Sequence, residues 1–340
     1  MLNTTITSVR PLLDVRGLSV VLNSRTAKVF AVDQVSYRLN RGETLAIVGE
    51  SGSGKTVANM APLGLLPMGV MADMRGEVFF NGQDLLSLPE EKLRALRGKE
   101  IGVIFQDPLS ALNPARMIGR QVAEVAEHHL GLSVQAAEAR AVELLKMTGI
   151  SEPAMRMRQY PHELSGGMRQ RVVIAMAIAA EPSLLIADEP TTALDVTVQA
   201  QIIRLIRDIQ ERLGMAIILI THDIGVVAGM ADQLAVMYAG RIAEYGSAEM
   251  VLTAPQHPYT RGLLNSLPRD TDRPGSEFRG LPGTPPSLSA RATGCAFAPR
   301  CPRVFEPCNK AQPLLAEINA DAKHSSACFA TAGNRVGEHA

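Results

Sequence analysis

Thr44-Leu-Ala-Ile-Val48 followed by Gly49-Glu50-Ser51-Gly52-Ser53-Gly54-Lys55-Thr56 is the stretch that decides the fold. Its uncharged opening reads as a short buried strand, running through a glycine-rich turn into a helix. The turn fits G-x-x-x-x-G-K-[ST] and has the strand before and helix after that this motif requires. Glycines let backbone N–H groups turn inward around phosphate oxygens, and the following helix N-terminus adds a favourable dipole. Lys55 is placed for the β- and γ-phosphates of ATP and Thr56 for a Mg²⁺ ion.

Two further stretches extend this reading. Leu184-Leu-Ile-Ala-Asp188-Glu189-Pro190 is a buried strand ending in two acids. Alone it would also suit a solvated strand end. Behind a phosphate loop, Asp188 is expected to hold Mg²⁺ and Glu189 to act as general base on the attacking water. Leu164-Ser165-Gly166-Gly167-Met168 is a second anion-binding design, Ser-Gly-Gly opening a helix. One such device already serves the chain's own nucleotide, so the second is expected to serve an ATP held by another subunit.

Strands are predicted at 12–20, 32–39, 44–48, 77–80, 101–105, 184–187 and 216–220, the first ones antiparallel. Helices are predicted at 168–180 and 196–213; the second puts Ile202, Leu205, Ile206, Ile209 and Leu213 on one face. Strands alternating with helices imply an α/β fold with a mainly parallel core sheet. Residues from about 108 to 165 have helical periodicity and read as a helical insertion. Past residue 255 the composition shifts: proline and glycine become dense over 268–286, and all four cysteines lie after 290. The expected organisation is a domain over 1–255 and an extension over 256–340.

Lysine plus arginine and aspartate plus glutamate both number 34, which argues against a nucleic-acid partner. The longest apolar run, 172–180, is far short of the ~20 residues of a membrane span. The N-terminus lacks a signal-peptide pattern, so a cytoplasmic, soluble or peripheral protein is expected.

Taken in order, these motifs resemble the ATP-binding subunit of an ABC transporter over about residues 12–255. The resemblance implies the ABC-type nucleotide-binding fold, with an antiparallel β subdomain and a helical subdomain. It implies ATP hydrolysis and a head-to-tail dimer with a second ABC ATPase subunit, the same chain or a homologous one. Two transmembrane permease subunits and an extracytoplasmic substrate-binding protein complete the implied assembly, at the cytoplasmic face of the inner membrane.

The resemblance also assigns further residues. Gln106 matches the glutamine that senses Mg²⁺ and couples to the membrane partner. Ser165, Gly166, Gly167 and Met168 match the family signature. Asp195 matches the acid that communicates between two ATP sites, and His222 the histidine that contacts the γ-phosphate and the attacking water. Relatives often stack an aromatic ring on adenine; Val21, Leu22 and Asn23 occupy the corresponding place, with Phe30 nearby.

A finer resemblance, to the dipeptide/oligopeptide importer branch, rests on Phe105-Gln-Asp-Pro-Leu-Ser-Ala-Leu-Asn-Pro114, Leu164-Ser-Gly-Gly-Met-Arg-Gln-Arg171 and His257-Pro-Tyr-Thr260. That branch also imports nickel and glutathione. Soluble ABC ATPases of DNA repair or translation, and a metal- or redox-sensing ATPase, are the competing classes. The last element is Cys295-x5-Cys301-x6-Cys308-x19-Cys328. Four thiolates can hold zinc or an iron–sulfur cluster. Close C-x2–4-C pairs typical of zinc are absent, and the wide spacing with Pro302 and Pro307 suits a bulkier cluster. The branch resemblance implies a [4Fe–4S] cluster, with Zn²⁺ or unligated cysteines as alternatives.

Overall fold

The computed structural model describes residues 10–23, 27–267, 280–319 and 324–331. The early part of the proline- and glycine-rich stretch, 268–279, lies outside them.

Four strands form an antiparallel sheet: β1 (Leu13–Asn23), β2 (Lys28–Leu39), β4 (Met71–Phe80) and β5 (Gln83–Asp84), in the order β2-β1-β4-β5. The main sheet has eight described strands. β3 (Thr44–Val48), β6 (Ile101–Ile104), β7 (Leu184–Asp188), β8 (Ala216–Thr221) and β9 (Gln233–Tyr238) run parallel, in the order β9-β3-β8-β7-β6. β3, β7 and β8 are buried along their whole length, as their unbroken apolar sequences require of strands covered on both faces. β10 (Arg241–Ser247) turns back antiparallel on β9. Beyond it, β12 (His324–Ser326) pairs with β10 and β11 (Ala316–Asn319) with β12. The C-terminal extension therefore continues the main sheet.

Helices α1 (Lys55–Met60) and α2 (Glu90–Leu96) flank β4 and β5 in sequence. α3 (Pro108–Ala111), α4 (Ile118–Leu130), α5 (Val134–Met147) and α6 (Pro153–Arg156) make the helical insertion. α7 (Gly166–Ala177) and α8 (Val196–Leu213) return to the sheet. Local signals fix these ends. Ser133 caps α5 by accepting from Ala136 N–H, and α8 stops at Gly214, whose φ of 65° is the left-handed conformation a side chain resists. On the predicted apolar face of α8, Ile202, Ile206 and Ile209 are fully buried while Leu205 and Leu213 are partly so.

One apolar cluster joins the antiparallel sheet to one face of the main sheet. A second joins the other face to α4, α5, α7 and α8. The third binds Ala46, Val48, Val236 and Tyr238 to Tyr259 and Phe297 of the extension. Among the described residues no helix is long and apolar enough to cross a membrane.

Candidate nucleotide site

Four adjacent parallel strands, β3, β8, β7 and β6, end along one sheet edge, with predicted site residues at each end. The phosphate loop follows β3, Gln106 follows β6, Asp188 and Glu189 close β7, and His222 follows β8. The crevice outside the carboxyl ends of parallel strands is where α/β folds bind ligands.

Gly49 to Thr56 turn tightly under the sheet edge. Gly54 has φ 97°, and a Cβ there would come within 2.3 Å of the Ala31 carbonyl oxygen, so only glycine lets the backbone pass. Gly49 is equally constrained, a Cβ meeting the Met237 carbonyl oxygen at 2.1 Å. Lys55 is buried, and its Nζ donates to the carbonyls of Gly49 (2.7 Å) and Glu50 (3.0 Å), with Ser53 Oγ at 3.4 Å. Burial pulls this ammonium below its usual range, while Glu189, Asp188 and Glu50 work against that shift.

Thr56 Oγ1 donates to Asp188 Oδ1 at 3.0 Å. Burial pushes the Asp188 carboxyl above its usual range; the Thr56 bond pulls it back and Glu189 adds to the rise. A buried carboxylate in contact with a hydroxyl at the lip of a phosphate loop is a hard-oxygen donor set that fits Mg²⁺. Glu189 takes φ 47°, a left-handed conformation that turns the chain sharply as the strand ends. Its N–H donates to Ile220 O at 2.8 Å. Its carboxylate is held by three groups: Gln106 Nε2 donates at 3.0 Å, Thr192 Oγ1 donates at 2.8 Å, and His222 Nδ1 lies 3.4 Å away. Gln106 thus reaches Glu189 rather than the Thr56–Asp188 pair.

Ser165 to Met168 lie elsewhere. Ser165 caps α7 by accepting from Met168 N–H at 3.3 Å, and Ser165 and Gly166 are exposed. Among the described residues no hydrogen bond joins this segment to the phosphate loop. Arg169 Nε donates to Pro161 O (2.7 Å) and Arg171 Nη1 to Thr148 O (2.7 Å), tying the helix start to the insertion. Asp195, also exposed, caps α8 by accepting from Val198 N–H at 2.9 Å. Phe30 sits opposite Val21 in the β1–β2 ladder, with the Arg291 guanidinium 5.4 Å from its ring centre.

Three residues that touch this machinery escape the motif reading. Thr192 binds Glu189, and its only sequence signal is a hydroxyl three residues past the acid. Tyr259 Oη accepts from Glu50 N–H at 2.9 Å, and Arg300 pairs with the Glu50 carboxylate. Tyr259 lies in the His257–Thr260 motif, which carries no sign of a contact with Glu50, and nothing local marks Arg300.

Cys295, Cys301, Cys308 and Cys328 are free thiols in one region, but among the described residues no group of three or more His, Cys, Asp or Glu could hold a metal ion. Burial pushes Cys295 up to about 11 and raises Cys301 and Cys328.

Comparison with known proteins agrees with the geometry. Residues 32–192 match the ABC transporter family, and residues 243–308 match the oligopeptide/dipeptide transporter C-terminal region. The chain is 53% identical over 289 residues to the oligopeptide transport ATP-binding protein OppD of Bacillus subtilis, covering 85% of this chain and 81% of that protein. It is 50% identical over 305 residues to OppD of Salmonella typhimurium, covering 90% of each. It is also 50% identical over 322 residues to OppD of Mycobacterium bovis, where it spans 52% of the relative's length. A solved dimeric ATP-binding cassette in a post-hydrolysis state with ADP and phosphate superposes with a TM-score of 0.61 at 27% identity, over 69% of this chain and 98% of that one. The chain belongs to the ABC transporter ATP-binding subunits, in the branch that carries the oligopeptide/dipeptide transporter C-terminal region.

Proposed function

We propose that this chain hydrolyses ATP to power the import of dipeptides or oligopeptides through separate membrane permeases, docked at the cytoplasmic face of the inner membrane. The single observation that carries the catalytic part is the Glu189 carboxylate, held by Gln106, Thr192 and His222 beside the Thr56–Asp188 pair. The relatives' names and the C-terminal region support the peptide cargo.

In this reading, backbone N–H groups of residues 49–56 wrap the phosphates. Lys55 leaves its loop carbonyls for the β- and γ-phosphate oxygens. Thr56 and Asp188 would hold Mg²⁺, which would supply charge neutralisation for the phosphates. Glu189 takes a proton from water as its oxygen attacks the γ-phosphorus; the bond to ADP breaks, and phosphate leaves. Thr192 and Gln106 aim the carboxylate, and His222 faces the same water and the γ-phosphate. The exposed Ser165–Met168 helix start binds the nucleotide of a second ATPase subunit, and that subunit's signature completes the site built on Lys55. The exposed Asp195 lies along the same path between sites.

ATP turnover by the complete transporter with its binding protein tests the cargo. Peptide is expected to raise the rate several-fold, whereas nickel and glutathione leave it unchanged. Stimulation by either of those instead of peptide would move the cargo to that solute.

The four cysteines support a second, smaller reading, a [4Fe–4S] cluster with Zn²⁺ as the alternative. Backbone N–H groups of Phe297, Arg303 and Ala330 each donate to the sulfur of a cysteine two residues earlier. Such bonds favour thiolate over thiol. Anaerobic purification with iron, sulfide and zinc analysis is the check, with iron and acid-labile sulfide expected in equal amounts. A metal-free protein that folds and hydrolyses ATP normally would rule the reading out.

A further inference from the structure

Glu50, the second residue of the phosphate loop, has each of its polar groups held. Its carbonyl accepts from Lys55 Nζ at 3.0 Å and its N–H donates to Tyr259 Oη at 2.9 Å. Its carboxylate takes a two-pronged pair from Arg300: Nη1 to Oε2 at 2.6 Å and Nη2 to Oε1 at 3.0 Å. Two of these three holders come from beyond residue 255, so the extension grips the loop from outside.

Arg300 is built into its place. Its side chain is 4% exposed. Nε donates to Pro282 O at 2.7 Å, and Nη1 also reaches Tyr238 Oη at 3.3 Å. The guanidinium lies over the Tyr238 ring, which packs on Tyr259 and Phe297 with centroids 4.5 and 5.3 Å away. Arg300 immediately precedes Cys301, and Cys295 N–H donates to Cys308 O at 2.7 Å, so the cysteine-bearing turns set its position.

The electrostatics give this grip a role in nucleotide binding. Glu50 is one of the carboxylates that act on the Lys55 ammonium, so its charge is felt where the triphosphate binds. Unpaired, that carboxylate would repel the nucleotide. Paired, it becomes a neutral anchor, and a two-pronged arginine pair fixes direction as well as charge.

We propose that Arg300 is a positioning residue of the nucleotide site, acting through Glu50: it cancels the carboxylate's repulsion of ATP and, with Tyr259, holds the phosphate loop open to the nucleotide. The folding of the four-cysteine region is thereby coupled to ATP affinity. The proposal rests on the ATP-binding reading. A wild-type chain that does not bind ATP overturns that reading, whereas normal binding that ignores Arg300 overturns this proposal alone.

The test is calorimetric titration of the full-length chain with MgATP for the wild type, R300M, R300K, E50Q and R300M/E50Q, with turnover followed in the assembled transporter. R300M is expected to weaken ATP about tenfold, the size of effect one uncompensated charge near the phosphates produces. R300K is expected to fall between the two, because it keeps the charge but loses the fork. The double variant is expected to recover to within about threefold of wild type, since the repelling charge is gone. In turnover, R300M is expected to raise KM for ATP while kcat at saturation stays within about threefold. A merely structural strap predicts no rescue by E50Q. Wild-type affinity in R300M, or a double variant as weak as R300M, overturns the proposal. If R300M does not fold, E50Q decides alone: it leaves the Arg300 cation facing the triphosphate and is expected to tighten ATP several-fold, and an unchanged or weaker affinity overturns the proposal.

Discussion

Glu189→Gln is expected to leave the transporter able to bind ATP and unable to turn it over. The amide has the shape of the carboxylate and can still meet Thr192 and His222, so the left-handed turn at residue 189 and the bond from its N–H to Ile220 O are kept. It cannot accept a proton. Loss of a general base costs about a hundred- to ten-thousandfold in rate, and the low end would already be plain in a phosphate-release assay. Binding should survive, because the phosphate loop and the Thr56–Asp188 pair are untouched. The amide also removes a negative charge beside the γ-phosphate, so affinity should hold or rise. Turnover within about threefold of wild type would sink the general-base assignment.

Gly166→Asp and Lys55→Ala are expected to fail in different ways. Gly166 is exposed, and a Cβ there would meet only Leu194 Cδ2 at 3.5 Å, an ordinary contact, so the chain should fold. The added carboxylate would sit at the α7 N-terminus, where an anion from another subunit is expected, and repel it. The isolated chain should bind ATP as the wild type does, and the assembled transporter should lose hydrolysis about a hundredfold or more. Gly167 is a poorer choice, because its Cβ would lie 2.8 Å from Val198 Cγ1. Lys55→Ala removes the one buried ammonium of the loop and should weaken ATP on the isolated chain by about ten- to a hundredfold, the range for a charge-assisted bond. Equilibrium titration of the two isolated variants separates them. If Gly166→Asp weakens ATP on the isolated chain as Lys55→Ala does, the signature serves the chain's own nucleotide and the two-subunit account fails.

Much of this site could be read in the sequence because its parts are local. Thr44–Val48 is a strand with the bounds its apolar run predicts, and Gly49 and Gly54 after it are demanded by backbone contacts that only glycine survives. The Asp188–Glu189 pair and the residues after β6 and β8 converge because parallel strands end on one edge, which alternation of strand and helix already implies. What escaped is non-local. β9 and β10 carry short runs broken by Ala239-Gly240, and β12 is His-Ser-Ser, with no strand pattern at all; its pairing with β10 is decided by tertiary context. The Arg300–Glu50 pair joins residues 250 positions apart, and no spacing rule reaches that far. The cysteines show the converse. Their spacing predicts a metal site, while no group that could hold a metal ion stands among the described residues.

Peptide uptake by membrane vesicles that carry the complete transporter is the most direct measurement of the central claim, that hydrolysis at Glu189 drives import. With ATP inside the cytoplasmic-face compartment, labelled peptide should accumulate when the chain is wild type and fail to accumulate when it carries Glu189→Gln. Equal ATP-dependent accumulation with the two chains would contradict the account.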